Sequence, residues 1–241
     1  MDRFLTIKDK DFYSWDYIEH LRKEDAKKKN PYKIIAQRGG QENMLSQSAD
    51  IMIVGGSRGG SKSYSLLLET LKDYTNKNFR ATILRYEIDD LSDLIDTSYG
   101  IYSDFGTYNR SKADMSWNFN SGASLKFNYY SDKYEDFKVR MQGRQYAYIG
   151  IDEITHMEYN KFKYLITNNR NAFGIRNRIM ASCNPDPDSW VAKFIDWWIG
   201  EDGLPIKERD GVRRYCFMNG DEVQDIIWGN SKEEVYEQCR D

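Results

Sequence analysis

The residues with the clearest chemistry stand in one short run, Gly56-Ser57-Arg58-Gly59-Gly60-Ser61-Lys62-Ser63. It can be laid on the spacing G-x-x-x-x-G-K-[ST] with Gly56 first, Lys62 as the lysine and Ser63 as the hydroxyl residue. Such a run lets successive backbone N–H groups converge on phosphate oxygens at a helix N-terminus. The lysine then neutralises β/γ oxygens and the serine ligates Mg²⁺. Ser61 stands where the pattern has glycine, with Gly59 and Gly60 supplying flexibility just upstream. On the loop alone, a glycine-rich turn with an incidental lysine is the competing reading. A second group answers it: Ile149-Gly150-Ile151 runs into Asp152-Glu153. A strand-end aspartate can hold the Mg²⁺ shell. Glu153, pointing away from the apolar strand face by two-residue alternation, can polarise an attacking water as general base. Asp-Glu at a strand end can also cap the next helix, so this pair alone divides evenly between capping and catalysis. Both groups together, in order and each after a strand, point to hydrolysis of a nucleotide with Mg²⁺.

The elements that must position these groups are legible around them. Ile51, Met52, Ile53 and Val54 form a short branched apolar run of buried-strand type. After the glycine loop, Tyr64, Leu67, Leu68 and Leu71 recur at i, i+3, i+4, i+7, which predicts a helix. Ala81 to Leu84 followed by a helical segment over residues 90–95 makes a second strand–helix unit, and hence a mostly parallel sheet. Residues 117–127 alternate about Asn120-Ser121-Gly122, predicting an antiparallel hairpin inserted at a sheet edge. Residues 146–151 and 179–182 read as further strands, ending in Asp152-Glu153 and Cys183-Asn184-Pro185. Polar groups therefore gather at strand ends, where open α/β sheets bind ligands. Phe12, Trp15, Ile18 and Leu21 predict an amphipathic helix over residues 11–29, and Trp190, Phe194, Trp197 and Trp198 an aromatic one. Residues 205–218, with Asp210-Gly211 at the middle, read as a hairpin, and residues 231–238 as a short helix.

Composition sets the bounds. With 241 residues, 40% hydrophobic and 30% charged, the chain suits one α/β domain. A net charge of −3 offers no bulk cationic field for nucleic acid, which leaves local clusters such as Lys27, Lys28 and Lys29 for any such contact. Cys183, Cys216 and Cys239 are too dispersed for a zinc pattern, and only His20 and His156 could join them, so reduced thiols are expected. No run approaches the length of a membrane span and the charged start lacks a signal-peptide core, so a soluble, non-secreted protein is expected.

Taken together, these motifs resemble the N-terminal ATPase domain of the large terminase subunit of tailed bacteriophages. The marks are Gln41-Glu42-Asn43-Met44-Leu45, the loop GGSRGGSKS with Arg58 four before the lysine, Met141-Gln142-Gly143-Arg144-Gln145-Tyr146 leading into IGIDE, and SCNPDPDSW at 182–190. The resemblance implies an α/β P-loop NTPase of the ASCE type, with a mostly parallel central sheet flanked by helices and an antiparallel hairpin insertion. It implies ATP and Mg²⁺ as cofactors. Lys62 and Ser63 then fall to phosphate and Mg²⁺, Asp152 to the metal, Glu153 to water activation and Gln41 to the adenine edge. Asn184 falls to sensing of the γ-phosphate state, and Arg58 to γ-phosphate charge. Gln142 stands where the family often has an arginine, which leaves Arg140 and Arg144 as candidates for a finger reaching a neighbouring subunit. Implied partners are double-stranded DNA, the portal protein, the small terminase subunit and further copies in a ring on the procapsid, in the host cell cytoplasm and away from membranes.

The expected organisation is one domain: a helical segment over 1–35, an ATPase core over 36–200, and a hairpin and helix over 201–241. The family's RNase H-type nuclease is expected to be absent, since no strand-borne acidic triad follows Trp190. An isolated or truncated ATPase domain, without nuclease activity, is the consequence. Another P-loop motor of helicase or recombinase type would share the loop and Asp-Glu but has no reason to carry SCNPDPDSW. A nucleotide kinase fits less well, because a glutamate beside the metal aspartate suits water as acceptor. A non-enzymatic alternative is a nucleotide-binding module whose catalysis Ser61 has weakened.

Overall fold

Strands of four to six residues rich in branched side chains form the centre of the molecule, and their alternation sends side chains into two separate cores. The structure is a computed structural model that describes residue 36 and residues 40–56, 62–111, 113–184 and 186–240. The expected helix over residues 11–29 and the loop residues Ser57, Arg58, Gly59, Gly60 and Ser61 lie outside these. In chain order the elements are α1 (Gly40–Ser46), β1 (Ile51–Val54), α2 (Lys62–Thr70), β2 (Arg80–Arg85), α3 (Leu91–Tyr102), β3 (Gly106–Asn109), β4 (Ser116–Phe119) and β5 (Ser124–Tyr129). There follow α4 (Tyr134–Met141), β6 (Tyr148–Ile151), α5 (Tyr159–Asn168), β7 (Arg178–Ser182), α6 (Trp190–Phe194), β8 (Tyr215–Met218), β9 (Ile226–Gly229) and α7 (Lys232–Gln238).

Seven strands make one sheet in the order β1-β7-β6-β2-β5-β4-β3, with β1, β7, β6, β2 and β5 parallel and β4 and β3 antiparallel to their neighbours. On one face Ala81, Ile83, Tyr148 and Met180 pack with Leu66, Leu67 and Leu71 of α2 and Leu94 and Ile101 of α3. On the other, Leu84, Ile149, Ile151, Ile179 and Ala181 pack with Phe137 of α4, Phe162 and Leu165 of α5 and Val191 of α6. The strands' alternation thus yields a three-layer α/β domain.

Two features hold α2 in place along its axis. A Cβ at Gly150 would stand 2.9 Å from the Ile83 side chain and 3.0 Å from the Tyr148 hydroxyl, so the glycine leaves room for that hydroxyl to donate to the Leu66 carbonyl at 2.9 Å. At the opposite end of the strands, buried Arg178 opens β7 and pairs with Glu69 at 2.5 Å and Asp73 at 2.7 Å, its guanidinium 5.3 Å from the Tyr148 ring centre. The far end of α2 is thereby anchored to the sheet, which leaves its first residues, Lys62 and Ser63, facing the C-terminal strand ends.

Several expectations need correction. The helix of the second strand–helix unit, α3, runs to Tyr102, not Ile95, because Leu91, Leu94, Ser98, Ile101 and Tyr102 continue one buried face at helical spacing, on which the Ser98 hydroxyl accepts from the Trp117 indole at 2.8 Å. The hairpin over 117–127 is present as β4–β5 at the antiparallel end of the sheet, where β3 is added outside it and β5 also pairs in parallel with β2. No strand forms over 205–214. Lys207, Glu208, Arg209 and Asp210 offer no apolar face to bury, and the Arg209 and Asp210 N–H groups both donate to the Ile206 carbonyl in a compact turn that Gly211 leaves at φ +72°. The hairpin there is β8–β9, which begins at Tyr215 and sends Cys216, Met218, Ile226 and Trp228 into the second core. The aromatic helix stops at Phe194 and gives way to a 3₁₀ turn, Asp196–Trp198. α7 forms as expected, with the Ser231 hydroxyl accepting from the Glu234 N–H at 3.1 Å.

Candidate active site

Parallel pairing fixes which side chains meet at the C-terminal edge of the sheet. Val54 lies opposite Ser182, which brings Gly55 and Gly56 beside Cys183 and Asn184. Ile151 lies opposite Ala181 and Leu84, which sets Asp152 between Ser182 and Arg85. Arg85 lies opposite Tyr129, which sets Tyr86 beside Tyr130. The chain leaves each strand polar at this edge, the place where open α/β sheets take ligands.

Asp152 is buried, and its carboxylate is held from three sides. The Ser63 hydroxyl lies 3.0 Å from each of its oxygens, the Ser182 hydroxyl donates to Oδ1 at 2.5 Å, and Arg85 Nε stands 3.7 Å from Oδ2. Lys62 Nζ donates to the Gly56 carbonyl at 2.5 Å and to Asn184 Oδ1 at 3.2 Å. The ammonium therefore spans the glycine loop and the segment after β7. Gly56 itself sits at φ +145°, a conformation that suits glycine. Hydroxyl and carboxylate oxygens in contact form the hard donor set that Mg²⁺ takes.

Glu153 departs from the strand-alternation expectation. β6 ends at Ile151, and Glu153 adopts φ 58°, ψ 52°, the one non-glycine residue with positive φ among those described. A left-handed glutamate costs of order 1–3 kcal/mol and persists only where its surroundings impose it. Here the Ser182 hydroxyl accepts from its N–H at 3.0 Å, and the Tyr130 hydroxyl reaches the carbonyls of both Asp152 and Glu153 at 2.9 and 2.8 Å. Burial, with the two carboxylates close by, pushes the Tyr130 phenol well above its ordinary value, so it remains a donor. Tyr130 is itself fixed, since buried Lys161 donates to its carbonyl at 3.1 Å. The capping alternative finds no support in the geometry: no side-chain bond from Glu153 caps the 3₁₀ turn Ile154–His156 that follows.

The other expected residues divide. Lys62, Ser63, Asp152 and Asn184 are brought together, with Glu153 adjoining. Gln41 is buried on α1, whose Met44 and Leu45 pack into the α2-side core. Arg140 is committed elsewhere, bonded to Asp132 and, at 2.6 Å, to the Tyr129 carbonyl, its guanidinium 3.8 Å from the Tyr129 ring centre. Arg144 is exposed just after α4, with Nε on the Arg140 carbonyl at 3.0 Å. Sequence reasoning missed Ser182, Tyr130 and Arg85. Each stands at a strand end or one residue past it in a register that only the folded sheet defines. Ser182, directly before Cys183-Asn184, gave the nearest signal.

A glycine loop entering a helix, a lysine and serine on its first turn, and an aspartate at the end of a strand separated from β1 by one intervening strand define a P-loop NTPase domain of the ASCE type. Residues 52–239 match the family model of the terminase large subunit, T4-like-virus type, N-terminal region, and the chain belongs to that family. Among solved structures, the ATPase domain of the Thermus phage P74-26 large terminase has a TM-score of 0.53 at 11% identity, over 79% of this chain and 76% of that one. The large terminase of bacteriophage HK97 also has a TM-score of 0.53, at 9% identity, over 69% of this chain and 37% of that one. The large terminase of a thermophilic bacteriophage gives 0.49 at 18% identity, over 61% of this chain and 38% of that one. The chain thus spans well under half the length of these last two proteins. No curated protein sequence matches it at a significant level.

Proposed function

We propose that this chain hydrolyses ATP with Mg²⁺ and serves as the motor domain that drives double-stranded DNA into a phage procapsid. One observation carries the enzymatic part. The Ser63 hydroxyl from the first turn of α2 meets both oxygens of buried Asp152 at 3.0 Å, while Lys62 beside it reaches Asn184. Ser63 and Asp152 would hold the Mg²⁺, which when bound neutralises phosphate charge. Gly56 and the loop through Ser57, Gly59, Gly60 and Ser61 would cradle the phosphates, with Lys62 on the β/γ oxygens. Glu153 would orient and deprotonate the attacking water, which accounts for a strained backbone at that position. Gln41 would read the adenine edge and Arg58 would neutralise γ-phosphate charge.

The Lys62–Asn184 contact supports the sensing role of Asn184, because the cation that would bind the terminal phosphate and a side chain just past β7 already share a hydrogen bond. From Asn184 the chain runs on to α6, the route by which a change at the γ-phosphate would pass onward. Family membership supports the motor reading, with double-stranded DNA, the portal protein, the small terminase subunit and further copies in a ring as partners, and the host cytoplasm as the place of action. The test is phosphate release by the purified chain in Mg²⁺, with and without double-stranded DNA and portal protein. Mg²⁺-dependent turnover raised by DNA and portal together is expected. Turnover indifferent to both would leave a nucleotidase without a motor, and its absence would leave a nucleotide-binding module.

A further inference from the structure

The Glu153 carboxylate is 31% exposed, and no hydrogen bond among the described residues engages it. A glutamate left so has three side-chain torsions to sample, and a general base that wanders loses the geometry on which its rate depends. The side chain that comes to it among the described residues is His156, whose Nδ1 stands 3.7 Å from Oε2. The chain makes this meeting by the shortest route. Glu153 turns left-handed, Ile154–His156 form one 3₁₀ turn, and residues three apart eclipse on such a turn. The His156 N–H closes it on the Glu153 carbonyl at 3.0 Å.

His156 is in turn held by a ring of contacts that returns to Glu153. Its imidazole meets the Tyr86 ring edge-on, with centres 5.8 Å apart at 74°. Tyr86 meets Tyr130 edge-on at 5.7 Å and 69°. The Tyr130 hydroxyl bonds the Glu153 carbonyl. Tyr86 is 37% exposed and the His156 side chain 55%, so neither serves the core.

We propose that His156 is a positioning residue for the Glu153 carboxylate, held by an aromatic brace through Tyr86 and Tyr130. Nδ1 at 3.7 Å from Oε2 lies just beyond hydrogen-bond distance, and closing that gap in the nucleotide-bound site lets an Nδ1 proton restrain the carboxylate's swing while Oε1 is left for water. The inference rests on the reading of Glu153 as general base.

The test is steady-state ATP turnover by the full chain in Mg²⁺. His156→Ala lowers kcat by about 10-fold, part of the ~10²–10⁴ that a general base supplies, with KM for ATP unchanged. His156→Asn, whose amide nitrogen lies near the place of Nδ1, restores most of the loss. In a Glu153→Gln background His156→Ala has no further effect, because the group it positions is gone. Wild-type kcat in His156→Ala, no rescue by asparagine, or a full additive loss in the double variant overturns the proposal. Should His156→Ala fail to fold by thermal melting, Tyr86→Leu removes the brace without touching the turn. It lowers kcat in the same direction, and wild-type kcat there overturns the proposal equally. Full turnover in Glu153→Gln alone would instead remove the general-base reading itself. An inactive Glu153→Gln beside an unaffected His156→Ala removes only the brace.

Discussion

At the scale of single residues, the Asp152–Glu153 step is held by two hydroxyls that do different jobs. Ser182 spans the pair, donating to the Asp152 carboxylate and accepting from the Glu153 N–H, while Tyr130 fastens the carbonyl side. Ser182→Ala removes both of its bonds at once and leaves a buried carboxylate and a strained backbone N–H less satisfied. It is expected to cost about 1–3 kcal/mol in urea unfolding and to lower kcat more than it raises KM. Unchanged stability and turnover would show that Ser63 and Arg85 hold Asp152 alone. In the proposed site Lys62 would make the opposite kind of contribution, since its charge would meet phosphate in ground and transition states alike. Lys62→Ala should weaken ATP binding, read by nucleotide titration, as well as turnover. Normal binding would contradict the loop assignment.

At the scale of elements, α2 delivers Lys62 and Ser63 only if its axis is held, and Arg178 holds it from the far end. Arg178→Ala leaves Glu69 with Lys72 as its ion-pair partner at 2.7 Å, so the loss should fall near the lower end of the ~3–5 kcal/mol expected for breaking a buried pair. Urea unfolding reads it. A loss under about 1 kcal/mol, the value of an exposed pair, would deny the anchor. The elements also show what the chain made legible. The strand at residues 51–54, the helix opening at Lys62 and the strand end at Asp152 were readable because apolar periodicity and glycine punctuation are local signals. The place of β5 between β2 and β4 was not, because pairing register is decided between strands far apart in sequence. The same holds for Tyr130, Ser182 and Arg85. Their types are ordinary, and only the pairings Ile151–Ala181, Leu84–Ile151 and Arg85–Tyr129 bring them to the carboxylates. At residues 205–218 Asp210-Gly211 marked a real turn but the wrong kind. A turn signal names a reversal, and only flanking apolar alternation makes it a hairpin.

At the scale of the whole molecule, the placement of the arginines decides whether the site is complete within one chain. Arg140 is packed against Tyr129 and bonded to Asp132, whereas Arg144 is exposed and can meet a neighbouring copy. A finger arginine supplies about 10³–10⁵ in rate in related phosphoryl-transfer sites. We propose that Arg58 takes that role within its own chain. Arg58→Ala should then abolish the basal turnover of dilute protein, and mixing it with Arg144→Ala protein should restore nothing beyond what the latter shows alone. Recovery on mixing two separately inactive variants would place at least one arginine in trans.

We propose that Glu153, on its left-handed backbone beside Asp152, activates the attacking water. A general base acts on the transition state and not on binding, so substitution should separate the two. The measurement is phosphate release by Glu153→Gln beside a parallel titration of ATP binding in Mg²⁺. Binding at the wild-type level with turnover reduced by about 10²-fold or more is the predicted result. Hydrolysis by Glu153→Gln at the wild-type rate would contradict it.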